Sequence, residues 1–455
     1  MNAESSTGTS ILEHPQAQAL LEDATLSPAA VVGCQGRLRR FLERYLPRFY
    51  RQEQRENATV VVEGLLSGLQ RKTCEPIARE HGLHRKPIQS FVGCSTWDDE
   101  GVMAELRRHV KEELGDANAV LVIDPSAFAK KGSESCGVKR QWCGRLGKIE
   151  NCQVGVFLCY ASPKGHAPLD RKLYLPEEWA ADARHRQKCH VPEAVVFQEK
   201  WRIGLAMVDR CRAEGLPHGW VGGDDELGRP SEFRAALRSR NERYVLDVPS
   251  NTRIRDLEAA RPRRRPGGKG RKRKVPFVPV REWLAGQPES AWRKVTVRPG
   301  SKGPLEVEVM TRQVQTRDEH RHVGPEERLL VVRSVVEGQS RIDYSLSNAG
   351  PEVTREELVR ARGQRHRIER MLEEGKGEAG LGHYEVRSWV GWHHHVTLAL
   401  LALWFLAMEK GRVGGKNLPG GDGAAGAGDL HPPAPRSAAA ARRDRPASQR
   451  GSSPQ

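Results

Sequence analysis

Ala119-Val-Leu-Val-Ile-Asp124 and Gly219-Trp-Val-Gly-Gly-Asp224 decide how this chain is read. Each is a short apolar run closed by an aspartate. Runs of that length predict buried strands, with the closing acid at a strand end. A third acid, Glu369, lies in the long charged helical stretch after Val353. Two strand-end aspartates and a helix glutamate offer the oxygen donors that hard cations take. Two such ions about 4 Å apart clamp the attacking and leaving oxygens of a phosphodiester. The expected chemistry is phosphodiester cutting and joining at Asp124, Asp224 and Glu369, with two Mg²⁺ (or Mn²⁺) ions as cofactors.

Strand-like runs follow outward at 119–124, 151–160 and 170–175. A helix fits Glu193 to Glu214, a strand ends at Asp224, a short helix covers about 230–239, and Tyr244 to Val248 is another strand. That order predicts an α/β fold. Val295 to Val336 alternates apolar and polar residues, the period of strands. A β-rich insertion is therefore expected at about 250–350. Helix returns at Thr354 to Lys376 and at about Trp392 to Lys410.

Upstream, Leu38, Phe41, Leu42, Tyr45 and Leu46 recur at helical steps, and the pattern holds from Gly36 to about Gly115. Glu75 to Phe91 reads as a helix-turn-helix, with Ala78 at the crossing, Gly82 in the turn and His84, Arg85 and Lys86 opening the second helix. An ordinary helical hairpin fits the same residues equally well. The expected organisation is a disordered N-terminus (1–30), a helical DNA-binding domain (31–116), a catalytic domain (117–412) carrying the β insertion, and a disordered tail (413–455).

Lys plus Arg number 74 against 58 Asp plus Glu, a net charge of +16 over 455 residues. Such a surplus points to a polyanionic partner, nucleic acid first. The opening Met1 to Ser10 has no apolar signal-peptide core. The longest apolar run, Val396 to Met408, suits a buried helix better than a membrane span. Nine cysteines without a CxxC pair read as reduced thiols. The expected location is the cytosol, with no membrane partner.

The segment Phe128 to Gln153 follows Asp124 and holds six Lys/Arg residues among several glycines. It reads as a hairpin lip gripping backbone phosphates through Lys130, Lys131, Arg140, Arg145 and Lys148. Arg365, Glu369 and Lys376 fall within about 40° of one another on a helix, a face of cation, carboxylate, cation. Arg365 and Lys376 are expected to hold DNA phosphates there. The basic run 261–274 reads as a further phosphate-contacting loop. His393, His394 and His395 point in three directions on a helix, so a helix start near solvent or DNA is expected, not a metal site.

These residues resemble the DDE-type transposases of bacterial insertion sequences. The resemblance covers roughly Arg40 to Lys416. It rests on Val122-Ile-Asp-Pro-Ser126, Lys130-Lys-Gly132, Gly137-Val-Lys-Arg-Gln141, Leu146-Gly-Lys-Ile-Glu-Asn-Cys-Gln-Val154, Arg367-Ile-Glu369 and Gly380-Leu-Gly-His-Tyr-Glu-Val-Arg-Ser-Trp389. It implies a ribonuclease-H-like core and a metal-binding triad of Asp124, Asp224 and Glu369. It implies binding of terminal inverted repeats, cleavage and strand transfer, and a homodimer in the synaptic complex. A stand-alone endonuclease and an inactive end-binding copy are the alternatives. Three positions depart from the family pattern: Arg362 stands where a tyrosine is usual, Pro125 where a second aspartate often follows, and Leu227 before Gly228 where tyrosine is usual. The spacing back from Gly228 favours Asp224 over Asp225.

Overall fold

A computed structural model describes residues 33–261, 274–298, 305–336 and 339–412. The segments 1–32 and 413–455, and 262–273 of the basic run, lie outside the described residues. Five helices come first: α1 (Cys34–Glu43), α2 (Gln52–Leu66), α3 (Cys74–Glu80), α4 (Arg85–Gly93) and α5 (Asp99–Leu114). Four strands follow: β1 (Val120–Ala129), β2 (Lys139–Cys143), β3 (Lys148–Ser162) and β4 (Gly165–Leu173). Next come α6 (Glu177–Ala181), α7 (Ala183–Lys188), α8 (Lys200–Ala213), β5 (Trp220–Gly223), α9 (Asp225–Gly228), α10 (Ser231–Ser239) and β6 (Tyr244–Asp247). A β-rich stretch holds β7 (Arg253–Asp256), β8 (Val278–Pro279), α11 (Val280–Ala285), β9 (Arg293–Arg298), β10 (Leu305–Arg317), β11 (Val323–Val336) and β12 (Gln339–Ser347). Three helices end the described chain: α12 (Arg355–Gly363), α13 (Arg365–Gly377) and α14 (Trp389–Arg412).

The described strands form one mixed sheet of twelve, in the order β2-β3-β1-β5-β6-β12-β11-β10-β7-β8, with β4 on β3 and β9 on β10. The β-rich stretch extends the sheet, because β12 pairs antiparallel with β6. β1, β5 and β6 run parallel. Val120 to Ile123 are buried, as are all four residues of β5 and of β6. Burial on both faces is what a central parallel strand imposes, and it explains their unbroken apolar runs.

α14 is long and apolar enough, by length and composition, to cross a membrane. Trp392, Val396, Leu398, Leu400 and Leu403 on it are instead buried in the same core as Val61, Leu65, Val102 and Leu106 of α2 and α5 and as the sheet residues Leu121 and Phe157. Polar ties reinforce the junction. The fully buried Arg171 of β4 donates to Glu100 Oε1 (2.9 Å) and Thr397 Oγ1 (2.9 Å) and pairs with Asp99. Arg107 of α5 makes a two-pronged bond to Glu214, both at 2.7 Å.

Three expectations shift. α8 starts at Lys200 rather than Glu193, because Arg186 takes the carbonyls of Val195 (2.7 Å), Pro192 (2.9 Å) and Glu193 (3.3 Å) that a helix would need. The helix read from Thr354 to Lys376 is two, broken at Gln364, where Gln364 N–H reaches back only three residues to Ala361 O. His393, His394 and His395 do not face solvent or DNA; all three are buried. They do point apart: His393 Nδ1 bonds Trp389 O (2.9 Å), His394 stacks on Trp97 at 3.8 Å, and His395 Nε2 bonds Gly380 O (3.0 Å). Burial holds each imidazole below its usual pKa, so they are neutral core residues. The segment 75–91 does form two helices about a turn, with Gly82 at φ 65° and Ala78 buried.

Candidate active site

The parallel strands set three acids at one level. Ile123 pairs with Gly223, and Gly223 with Leu246. The next residue on each strand is Asp124, Asp224 and Asp247. Ligands of parallel α/β sheets collect at this carboxyl edge. Asp224 also caps α9, its Oδ1 accepting Leu227 N–H at 3.2 Å. The neighbouring Asp225 is exposed. Gly228 closes α9 against β6: a Cβ there would stand 1.9 Å from Asp247 O. Only glycine lets α9 approach, and with it Asp224 keeps its place beside Asp247.

The three acids differ electrically. Burial first, then Asp224 and Glu369, raise the Asp124 carboxyl; Arg365 and Lys376 pull it down without compensating. Burial likewise pushes Asp224 up to about 6 against the pull of Arg365. Asp247 is the opposite: burial would raise it, but Arg362 and Arg365 overcome that and hold it low. Its two oxygens are fully engaged. Arg362 donates through Nε to Oδ1 (2.9 Å) and Nη2 to Oδ2 (3.0 Å), Arg365 Nη1 donates to Oδ2 (2.7 Å), and Ser345 Oγ donates to Oδ1 (2.5 Å). Arg362 also pairs with Asp343 at 3.2 Å. The arginine at the unusual position is thus neutralised by two acids of the sheet.

α13 supplies the opposite wall. Arg365 Nη2 donates to Glu369 Oε1 at 2.7 Å, and Lys376 Nζ donates to Ser126 Oγ at 2.8 Å, two residues beyond Asp124. Arg365, Glu369 and Lys376 therefore share the face expected of them. The two partners of Arg365 hold it unequally. Asp247 is 9% exposed, whereas Glu369 is 53% exposed. An exposed i,i+4 pair contributes about 0–1 kcal/mol, whereas breaking a buried pair costs about 3–5 kcal/mol. Glu369 is the partner that can leave.

Among the described residues, no three His, Cys, Asp or Glu side chains stand close enough to grip one ion. At this site Glu369 is turned to Arg365. In kind the donor set fits a hard divalent cation. Asp124, Asp224 and Glu369 are all carboxylates, and the first two lie where nearby cations leave negative charge under-compensated.

Residues 44–304 match the model of the DDE superfamily endonucleases, a span of more than half the chain that includes Asp124 and Asp224 and stops short of Glu369. The chain belongs to the DDE superfamily endonucleases. It is 29% identical over 191 residues to a probable transposase for insertion sequence element IS701 of Microchaete diplosiphon, covering 41% of this chain and 47% of that one. The chain thus spans about half the length of that curated relative. A piggyBac transposase synaptic complex with hairpin DNA, solved by cryo-electron microscopy, aligns over 79% of this chain and 66% of its own at 12% identity and a TM-score of 0.37.

The basic lip of this DDE endonuclease is uneven. Lys131, Arg140 and Lys148 are exposed, with Lys148 paired to Glu150 at 3.2 Å. Lys130 is half-buried: its Nζ lies 3.3 Å over the Tyr384 ring and donates to Tyr384 O at 3.2 Å, and burial lowers it to about 8. The side chain of Arg145 lies outside the described residues. Sequence reasoning missed Asp247, although Tyr244-Val-Leu-Asp247 follows the same rule as the other two runs. It also missed Ser126 as the acceptor for Lys376. A cavity of about 910 Å³ lies elsewhere, lined by Arg37, Arg40, Lys164, Arg367 and Trp404, and none of the candidate acids borders it.

Proposed function

We propose that this chain is a transposase that binds the terminal inverted repeats of its insertion sequence and catalyses metal-dependent cleavage and strand transfer of double-stranded DNA. The observation that carries the proposal is the level row of Asp124 and Asp224, under-compensated in charge and faced by Glu369, Arg365 and Lys376 of α13. The strand order β4-β3-β1-β5-β6, with β3 antiparallel to β1 and β4 and with β1, β5 and β6 parallel, supports a ribonuclease-H-like core. The helices between Cys34 and Leu114 are the proposed end-binding region, with the turn at Gly82 presenting Arg85 and Lys86. The proposed working form is a homodimer pairing two element ends at the nucleoid.

Asp124, Asp224 and Glu369 would hold two Mg²⁺ or Mn²⁺ ions. Bound there, the ions supply Lewis acidity and lower the pKa of a bound water. Lys376, tethered to Ser126, sets a cation beside Asp124 for a non-bridging phosphate oxygen. Arg365 offers a planar fork of donors to the same backbone. Lys131, Arg140 and Lys148 extend positive charge along the DNA, a term that weakens with salt. Glu369, exposed and singly held by Arg365, would be the acid free to change partner there.

The test is the full chain with Mg²⁺, a labelled element end and a target plasmid. Nicked ends and joined products are expected from the native chain, and neither from Asp124→Asn, which still retards the end in a gel. Cleavage without joined products points to a stand-alone endonuclease. Retardation without cleavage points to an inactive end-binding copy. Full activity of Asp124→Asn removes Asp124 from the site.

A further inference from the structure

Arg365 is held from two sides: Nη1 by Asp247 Oδ2 and Nη2 by Glu369 Oε1, both at 2.7 Å. Its Nε is buried and has no hydrogen-bond partner. Asp247 is fixed by its β6 backbone, by Arg362 and by Ser345, the residue paired with it across β12. Glu369 is fixed by one bond on an exposed helix face. A guanidinium so placed competes with any cation for Glu369. It also carries charge that a DNA phosphate can use once Glu369 departs.

We propose that Asp247 is a positioning residue that retains Arg365 beside the site, so that Glu369 can be given up to a divalent cation while Arg365 stays poised for a phosphate. Without Asp247, the whole guanidinium turns to Glu369, which becomes a poorer ligand. Arg362 serves the same end at one remove. It supplies Asp247 with a permanent counter-charge, so the acid does not depend on Arg365 for its own neutralisation. The inference rests on the reading of Asp124, Asp224 and Glu369 as cation ligands.

The experiment is a calorimetric titration of MnCl₂ into metal-free full-length chain, counting only the binding that Asp124→Asn abolishes. Asp247→Asn is expected to weaken this binding by about tenfold when Arg365 is present. With Arg365→Gln in the background, Asp247→Asn is expected to change nothing further. Unchanged Mn²⁺ affinity in Asp247→Asn, or an equal loss in both backgrounds, overturns the proposal. If Asp247→Asn does not fold, Arg365→Lys carries the test with the opposite sign. A lysine lacks the planar fork that spans the two acids and stays on the fixed one, so Mn²⁺ affinity is expected to rise several-fold. No rise, or a fall, overturns it. Absence of Asp124-dependent Mn²⁺ binding in the native chain is a separate result, and sinks the ligand reading itself.

Discussion

Asp124 and Asp247 stand at one level of the same sheet, two strands apart, and live in opposite electrical states. Asp247 is saturated: two arginines and a serine fill its oxygens and keep it ionised. Asp124, half-buried and with Asp224 between them, lies beside other acids with too little positive charge, and desolvation and those acids push its carboxyl well above the usual range. On the proposed reading, the contrast separates the acid that holds the arginines from the acids that take the ions. Buried carboxylates with built-in partners stabilise the fold, and those without them await a partner that the chain does not encode.

The sharpest way to break that contrast is to neutralise one acid of each kind. Asp124→Asn is expected to lower the rate of DNA cleavage by about 10³-fold or more, equivalent to about 4 kcal/mol of transition-state stabilisation. Its melting temperature should not fall. Asp247→Leu should do the reverse first, destabilising the fold by about 3 kcal/mol or more in denaturant melts, because Arg362 and Arg365 lose their shared counter-charge. If Asp124→Asn destabilises as much as Asp247→Leu, the two acids are of one kind and the distinction fails.

Gly228→Ala tests the backbone that seats Asp224 against β6. Its Cβ would collide with Asp247 O, so a loss of about 2 kcal/mol is expected from thermal or urea unfolding, with a fall in cleavage. A neutral substitution would mean that α9 moves away freely.

The smallest effect concerns pH. Asp224 titrates at about 6 in the folded chain and near 3.9 when unfolded. Between those values the folded state keeps a proton that the unfolded state has lost, so this acid's contribution to stability falls as pH rises through the window. In chelator, Asp224→Asn should therefore melt about 2 °C higher than the native chain at pH 8 and show no gain at pH 4. An equal gain at both values would point to a cause other than charge.

The strands bearing Asp124 and Asp224 were legible because buried parallel strands leave unbroken apolar runs, and an acid at the end of such a run stands out. Asp247 ends a run of the same form. What makes it structural is Arg362, 115 residues later, and that pairing is set by the β12 and α12 geometry rather than by any local pattern. The helix face of Arg365, Glu369 and Lys376 was legible from periodicity alone. The break at Gln364 was not, because no proline or strong breaker marks it beyond Gly363. The three histidines were misplaced for a physical reason. Polar side chains on a helix suggest solvent, but neutral imidazoles are tolerated in a core where backbone carbonyls and an indole ring receive them.

Where a divalent cation settles decides whether the three candidate acids form one site. Anomalous diffraction from crystals of the full chain with an element end and Mn²⁺ tests it directly. The expected peaks lie among the carboxylates of Asp124, Asp224 and Glu369, with Arg365 parted from Glu369 and still on Asp247. Manganese bound only elsewhere, with Glu369 still held by Arg365, would contradict it.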